Sequence, residues 1–197
     1  MENESEETYS ALFRKLQERG IEKAWLCISD AHKGLQAAIR KTLHGTSWQR
    51  CKVHFMRNIL AHVPQRDKEK VAAKLKLIWK APDEKSARTI KAVFCQEYEK
   101  LFPKAVECLE EGFEDSIQFY AFEELDSRKI SSTNTLERLN REIRRRSSVV
   151  GIFPSTDSYI RLITSYLLEY SDDWQTERCY MNAGSIKLQK EILFNAA

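Results

Sequence analysis

The chain has 197 residues, 42% of them hydrophobic and 31% charged, long enough to bury a core as one domain or as one domain with a sizeable insertion. Its net charge of +3 selects no class of partner, and its cysteines (Cys27, Cys51, Cys95, Cys108 and Cys179) are odd in number and irregular in spacing, which excludes a disulfide scaffold and fits a reducing cytoplasm. The acidic start MENESEETYS is not a secretory leader, and no apolar run is long enough to span a bilayer.

In chain order, Glu6 to Arg19 reads as an amphipathic helix. Tyr9, Leu12, Phe13 and Leu16 recur at helical spacing and Gly20 stops it. AWLCISD is a short apolar run ending in Asp30 and reads as a buried strand. Gly34 to Leu43 is a second helix, and SWQRCKVHF holds a second strand. Helix, strand, helix, strand predicts an α/β unit with a parallel pair. From Phe55 to about Leu125 helix formers dominate, with breaks expected at Pro64, Pro82, Pro103 and Gly112. Trp79, Phe94, Tyr98, Phe102, Phe113 and Phe119 keep helical spacing without interleaved basic residues, so they read as core rather than as a base-stacking platform. A further helix carrying Glu137, a turn at GIFPS and a long apolar helix follow, and the tail after Trp174 is weakly patterned.

Charge is concentrated in one place. Between Arg128 and Arg146 there are seven basic residues against two acids, a local +5. Such a block is the footprint of a nucleic-acid binder, with a solvated helix face as the plain alternative. Ser131, Ser132, Thr133 and Asn134 are all capping residues, so the helix begins near them. Leu136, Leu139 and Ile143 share a face that should bury, and Glu137, Arg141, Arg144 and Arg145 lie opposite with Arg138 flanking. One arginine would satisfy Glu137 as an i,i+4 pair. The surplus asks for another anion, for which a phosphodiester backbone is suited.

A lone carboxylate is a poor metal site, because Mg²⁺ usually takes one or two carboxylates with phosphate and water oxygens. Asp30, at the C-terminal end of a strand, is the partner that α/β architecture favours; its plain alternative is a helix N-cap, a role open to Ser29 as well. Cys51 and His54 could be half of a zinc site, but no second pair completes it, and packing beside the sheet is the simpler account. There is no Gly-x-Ser-x-Gly elbow and no glycine-rich phosphate loop.

Three motifs in order, ISDAHKGL (28–35), WQRCKVHFMRNIL (48–60) and STNTLERLNREIRRRSSVVGIFPS (132–155), resemble the mutator-type transposases of bacterial insertion sequences over nearly the whole chain. The resemblance implies an α/β, RNase H-like core interrupted by an all-helical insertion, mostly helical overall. It divides the chain into 1–58 (first part of the core), 59–127 (insertion), 128–175 (glutamate helix and closing helix) and a tail, 176–197. It implies an Asp-Asp-Glu triad holding Mg²⁺ or Mn²⁺, in which Asp30 matches the second aspartate and Glu137 the glutamate. Arg138, Arg141, Arg144, Arg145 and Arg146 would hold DNA. Cys51 and His54 match the family's Cys-x-x-His signature, whose role is open. The expected partners are insertion-sequence ends and target DNA, in a bacterial cytoplasm at the nucleoid, with a further copy of the chain or an upstream N-terminal fragment.

No aspartate precedes Asp30, so the family's first metal ligand and opening strands have no counterpart. The expectation is a truncated or split enzyme, inactive alone, with a strand edge left unpaired. The alternatives are a regulatory fragment that binds DNA or transposase, and an unrelated helical interaction module.

Overall fold

A computed structural model describes residues 4–176 and 180–195; Cys179 lies outside them. The described chain is mostly helical, with one parallel pair of strands. It runs α1 (Glu6–Glu18), β1 (Leu26–Ser29), α2 (Lys33–Thr42), β2 (Ser47–Arg50) and α3 (Lys52–Ala61), then α4 (Lys68–Ile78), α5 (Glu84–Tyr98), α6 (Pro103–Ser116) and the short α7 (Ser127–Ile130), and ends with α8 (Asn134–Val150), α9 (Thr156–Thr176) and α10 (Ala183–Asn195). It divides into a first unit, Met1–Phe122 with Ile130–Ser132, and a second, Glu123–Lys129 with Thr133–Ala197.

In the first unit, α1 opens on a capping box between Ser5 and Thr8, which satisfies two orphan backbone donors. It packs along α2, and Lys41 reaches Glu6 at 2.8 Å. β1 and β2 pair in register from Leu26 opposite Ser47 to Ser29 opposite Arg50. The strand at Leu26–Ser29 is where the sequence places it but less buried than expected. Only Ser29 is buried, the apolar residues before it being half-exposed, because β1 pairs with β2 alone.

The core of this unit lies among α3, α4, α5 and α6. Phe55, Ile59, Leu75, Ile78 and Leu109 are fully buried, and Trp79, Phe94, Tyr98, Phe113 and Phe119 nearly so, as their helical spacing predicts; Phe102, expected with them, is only half-buried at the start of α6. Gln49 is the polar fastener of this core. Its amide nitrogen donates to the carbonyls of Ser116 (2.8 Å) and Arg50 (2.7 Å), and its oxygen accepts from Phe119 N–H at 2.9 Å. β2 is thereby tied to the end of α6 with every polar group of a fully buried amide in use.

The helix break expected at Gly112 is absent. Gly112 lies inside α6, where a Cβ would come within 2.1 Å of the Arg50 guanidinium and 2.7 Å of the Phe55 ring. Its lack of a side chain serves a close approach. The three prolines behave as read: Pro64 and Pro82 stand between helices and Pro103 begins α6.

The second unit is built differently. α8 and α9 form an antiparallel hairpin through Gly151, whose φ of 72° suits a glycine. Tyr166 is its buried apolar residue; the Arg146 guanidinium lies 4.0 Å from that ring and 3.8 Å from Glu169. The tail does not stay irregular. Asn182 accepts from the N–H groups of Gly184 and Ser185 and starts α10, and Gln189, buried in that helix, accepts from Glu124 N–H. Of its large apolar residues Ile186, Leu188, Ile192 and Phe194 are exposed and Leu193 is half-buried, which explains why no clear stripe marks it in the sequence.

Candidate functional site

Asp30 follows β1 directly and is exposed. It caps nothing: the N-cap of α2 is His32, whose Nδ1 accepts from Leu35 N–H at 3.2 Å. The plain explanation of Asp30, or of Ser29, as a helix cap is therefore removed. Ser29 serves the strand end, accepting from Trp48 Nε1–H and donating to the Asp30 carbonyl, both at 2.8 Å. Tyr9 stands nearby; burial, with the charges of Glu4 and Asp30, pushes its phenol up.

Cys51 is fully buried where β2 turns into α3, and its N–H donates to Ser29 O at 2.7 Å. Lys52 N–H donates to Ser131 O at 3.1 Å. The C-terminal end of the strand pair thus gathers Asp30, the start of α3 and the buried serines Ser131 and Ser132. His54 lies half-buried one turn into α3. Arg50 stacks 4.1 Å over the Phe55 ring with its Nε buried, and burial lowers its pKa. The same burial raises the Asp115 carboxyl, with Arg50 opposing.

Glu137 belongs to the second unit, in the first turn of α8, where its carboxylate accepts from the Thr133 hydroxyl at 3.0 Å. The helix begins at Asn134 as read, but Thr133 caps it without a side-chain hydrogen bond. Arg138, Arg141, Arg144, Arg145 and Arg146 are all exposed. Arg145 pairs with Glu142 at 3.0 Å and Arg146 with Glu169. The side chains of Arg138, Arg141 and Arg144 form no ion pair or hydrogen bond with any described residue. The face expected to bury does not: Leu136 is 56% exposed, and Leu139 and Ile143 are only half-buried. Within the second unit α9 packs against α8.

No group of three or more His, Cys, Asp or Glu among the described residues could hold a metal. Asp30 belongs to the first unit and Glu137 to the second.

The transposase model of the Mutator family matches residues 1–177. The chain belongs to that family. A transposase for insertion sequence element IS256 in transposon Tn4001 of Staphylococcus aureus is 42% identical over 182 residues, 91% of this chain and 46% of the relative. One for IS1081 of Mycobacterium tuberculosis is 40% identical, covering 87% and 41%. One for ISRM5 of Rhizobium meliloti is 32% identical, covering 98% and 49%. This mutator-family chain spans about half the length of the curated relatives it matches.

Sequence reasoning missed two features of this transposase-family chain. His32 as the α2 cap has no signal beyond its position before Lys33. The second feature is an aromatic ladder on α9, Tyr166, Tyr170 and Trp174 with rings 6.0 and 5.2 Å apart in turn. Its i, i+4, i+8 spacing is visible in the sequence. No helix of the described chain is long and apolar enough to cross a membrane.

Proposed function

We propose that this chain forms part of the catalytic domain of a DNA transposase, one that cuts DNA at the ends of an insertion sequence and joins it to a target. The observation that carries the reading is the surface of α8. Three arginines there are exposed and uncommitted to any acid, and they follow a carboxylate at the helix start. Guanidiniums without protein partners are suited to phosphate, which they bind in a planar fork. Arg138, Arg141, Arg144 and Arg145 hold the DNA backbone, with Arg146 at the edge through its contact with Glu169.

In this reading the strand pair and most of α3 are part of an RNase H-like core, with α4 to α6 belonging to its helical insertion. Asp30 and Glu137 are the carboxylates that would hold Mg²⁺ or Mn²⁺, together with DNA phosphate oxygens. A metal so held would supply charge stabilisation at the phosphodiester. The described residues supply two carboxylates, so no cleavage is expected of this chain alone; a further copy of it or an N-terminal fragment would supply another, in a bacterial cytoplasm at the nucleoid. Cys51 and His54 support the α3 start beside Asp30.

The deciding experiment is DNA binding by the pure chain across a salt series. Changing Arg141, Arg144 and Arg145 together to Ala should reduce the slope of log affinity against log salt by about 2.7, at ~0.9 for each phosphate no longer neutralised. An unchanged slope would return these arginines to a solvated face and leave a helical interaction module. Incubation of labelled duplex with Mg²⁺ or Mn²⁺ should give no cleavage; robust nicking abolished by Glu137→Ala would overturn the claim of inactivity. A second reading, a regulator that binds DNA or transposase without cutting, is favoured by the exposed apolar residues Leu136, Ile160 and Leu168 of the second unit, a surface for another chain.

A further inference from the structure

A cavity of about 420 Å³ opens in the second unit between the start of α8 and the end of α9. Its floor is aromatic. Trp174 stacks on Tyr180 with ring centres 5.1 Å apart and 8° between planes, and Tyr170 lies 5.2 Å from Trp174. Tyr180 is held firmly. Its hydroxyl donates to Lys129 O at 3.2 Å and shares a short hydrogen bond with the Thr135 hydroxyl, while its carbonyl accepts from Lys129 Nζ. The Lys129 ammonium also sits 5.2 Å from the Tyr180 ring centre. The aromatic lining is therefore a short stack, fixed by hydrogen bonds and beside a cation, which one further planar ring could extend.

The walls are polar and uncommitted. Asn134 and Arg138, one turn apart on α8, and Asp173 on α9 line the same cavity. Among the described residues none of the three makes a side-chain hydrogen bond or ion pair. An amide that both donates and accepts, a carboxylate that only accepts and a guanidinium that only donates thus face one aromatic floor.

A planar ring with donors and acceptors on its edge, carrying a phosphate, satisfies this set. An aromatic side chain of a protein partner does not, because it would desolvate Asn134 and Asp173 and leave them unpaired. A base inside a duplex cannot reach the floor, since both its faces are already stacked. We propose that this cavity receives one unpaired base of the DNA strand whose phosphates the α8 arginines hold. The base extends the Trp174–Tyr180 stack, Asn134 and Asp173 read its edge, and Arg138 meets its phosphate. Asp173 favours a base bearing an exocyclic amine, as a carboxylate does towards cytosine. The inference rests on the DNA-binding reading of α8 and adds the conformation of the substrate.

The test compares two probes by fluorescence anisotropy at fixed salt: a fully paired duplex, and the same duplex with one unpaired 2-aminopurine at its centre. The wild-type chain should bind the second about fivefold or more tightly, the range expected for stacking one base on an aromatic side chain, and should quench the 2-aminopurine emission. Trp174→Ala should remove both the preference and the quenching while leaving paired-duplex affinity unchanged. Asn134→Ala, at an exposed position, should reduce the preference without touching the fold and decides the matter if Trp174→Ala fails to fold. Equal binding of the two probes by wild type, or a preference that survives in a folded variant, overturns the proposal while paired-duplex binding still stands for the α8 arginines. Failure to bind either probe overturns both.

Discussion

The two units spend their apolar residues in opposite ways. Every apolar residue buried among the described ones lies in the first unit except Tyr166. There, a buried aromatic and aliphatic cluster is closed by the saturated amide of Gln49. In the second unit the helices carrying Glu137, the arginines and the aromatic floor leave Leu136, Val149, Ile152, Ile160 and Leu168 exposed. Burial of apolar surface is what resists unfolding, so the first unit is the stable scaffold and the second is held by little buried apolar surface. The residues proposed to meet DNA sit on the less anchored part, where a ligand contributes most to order.

The sharpest way to break this contrast is Phe55→Ala. It removes a fully buried ring stacked on Arg50 and edge-on to Trp79, and should cost about 3–5 kcal/mol in denaturant unfolding. Gln49→Leu should cost roughly 2–4 kcal/mol, because it orphans Phe119 N–H and the Ser116 carbonyl in the same core; calorimetry reads it as a lower Tm. Arg88→Ala tests the solvent face of the scaffold. Arg88 holds Glu114 by two bonds of 2.6 and 2.7 Å, and these keep the Glu114 carboxyl below its usual range. The stabilisation is present above the unfolded glutamate value, about 4.3, and is lost as pH falls through the lower folded value. Because both side chains are largely exposed, it amounts to at most about 1 kcal/mol, so wild type and variant should converge in stability at acid pH. Leu136→Ala, on the second unit, should change stability by less than about 0.5 kcal/mol. A loss as large as that of Phe55→Ala would end the contrast.

Much of this arrangement is legible in the residues. Alternation of helix and strand gives the parallel pair, and the aromatic spacing of α4 to α6 gives most of the core; the stripe of α1 is less well covered, with Leu12 exposed and Tyr9, Phe13 and Leu16 half-buried. The start of α8 and the exposure of its arginines follow from capping chemistry and charge. Three features are hidden for physical reasons. Gly112 carries the sign of a breaker, yet its use is a close approach made by Arg50 and Phe55, residues far away in sequence. α10 keeps most of its large apolar residues exposed, so burial imposes no stripe on it. Leu136 has the spacing of a buried face, but a period describes which residues share a side and not whether anything covers that side. Of the site, the carboxylates and arginines are visible one by one. The aromatic floor depends on Tyr180 folding back onto α9, which no local pattern specifies.

The end of the α8–α9 hairpin carries one more consequence. Val149 and Ile152 are 81% and 91% exposed, a turn or two from Arg144 and Arg145. Salt weakens the grip of those arginines on polyanions, whereas kosmotropic salts drive such apolar tips together. Solubility should therefore pass through a maximum as sulfate is raised: nucleic acid precipitates the protein below it and self-association above it. Serines at positions 149 and 152 would move only the upper limit.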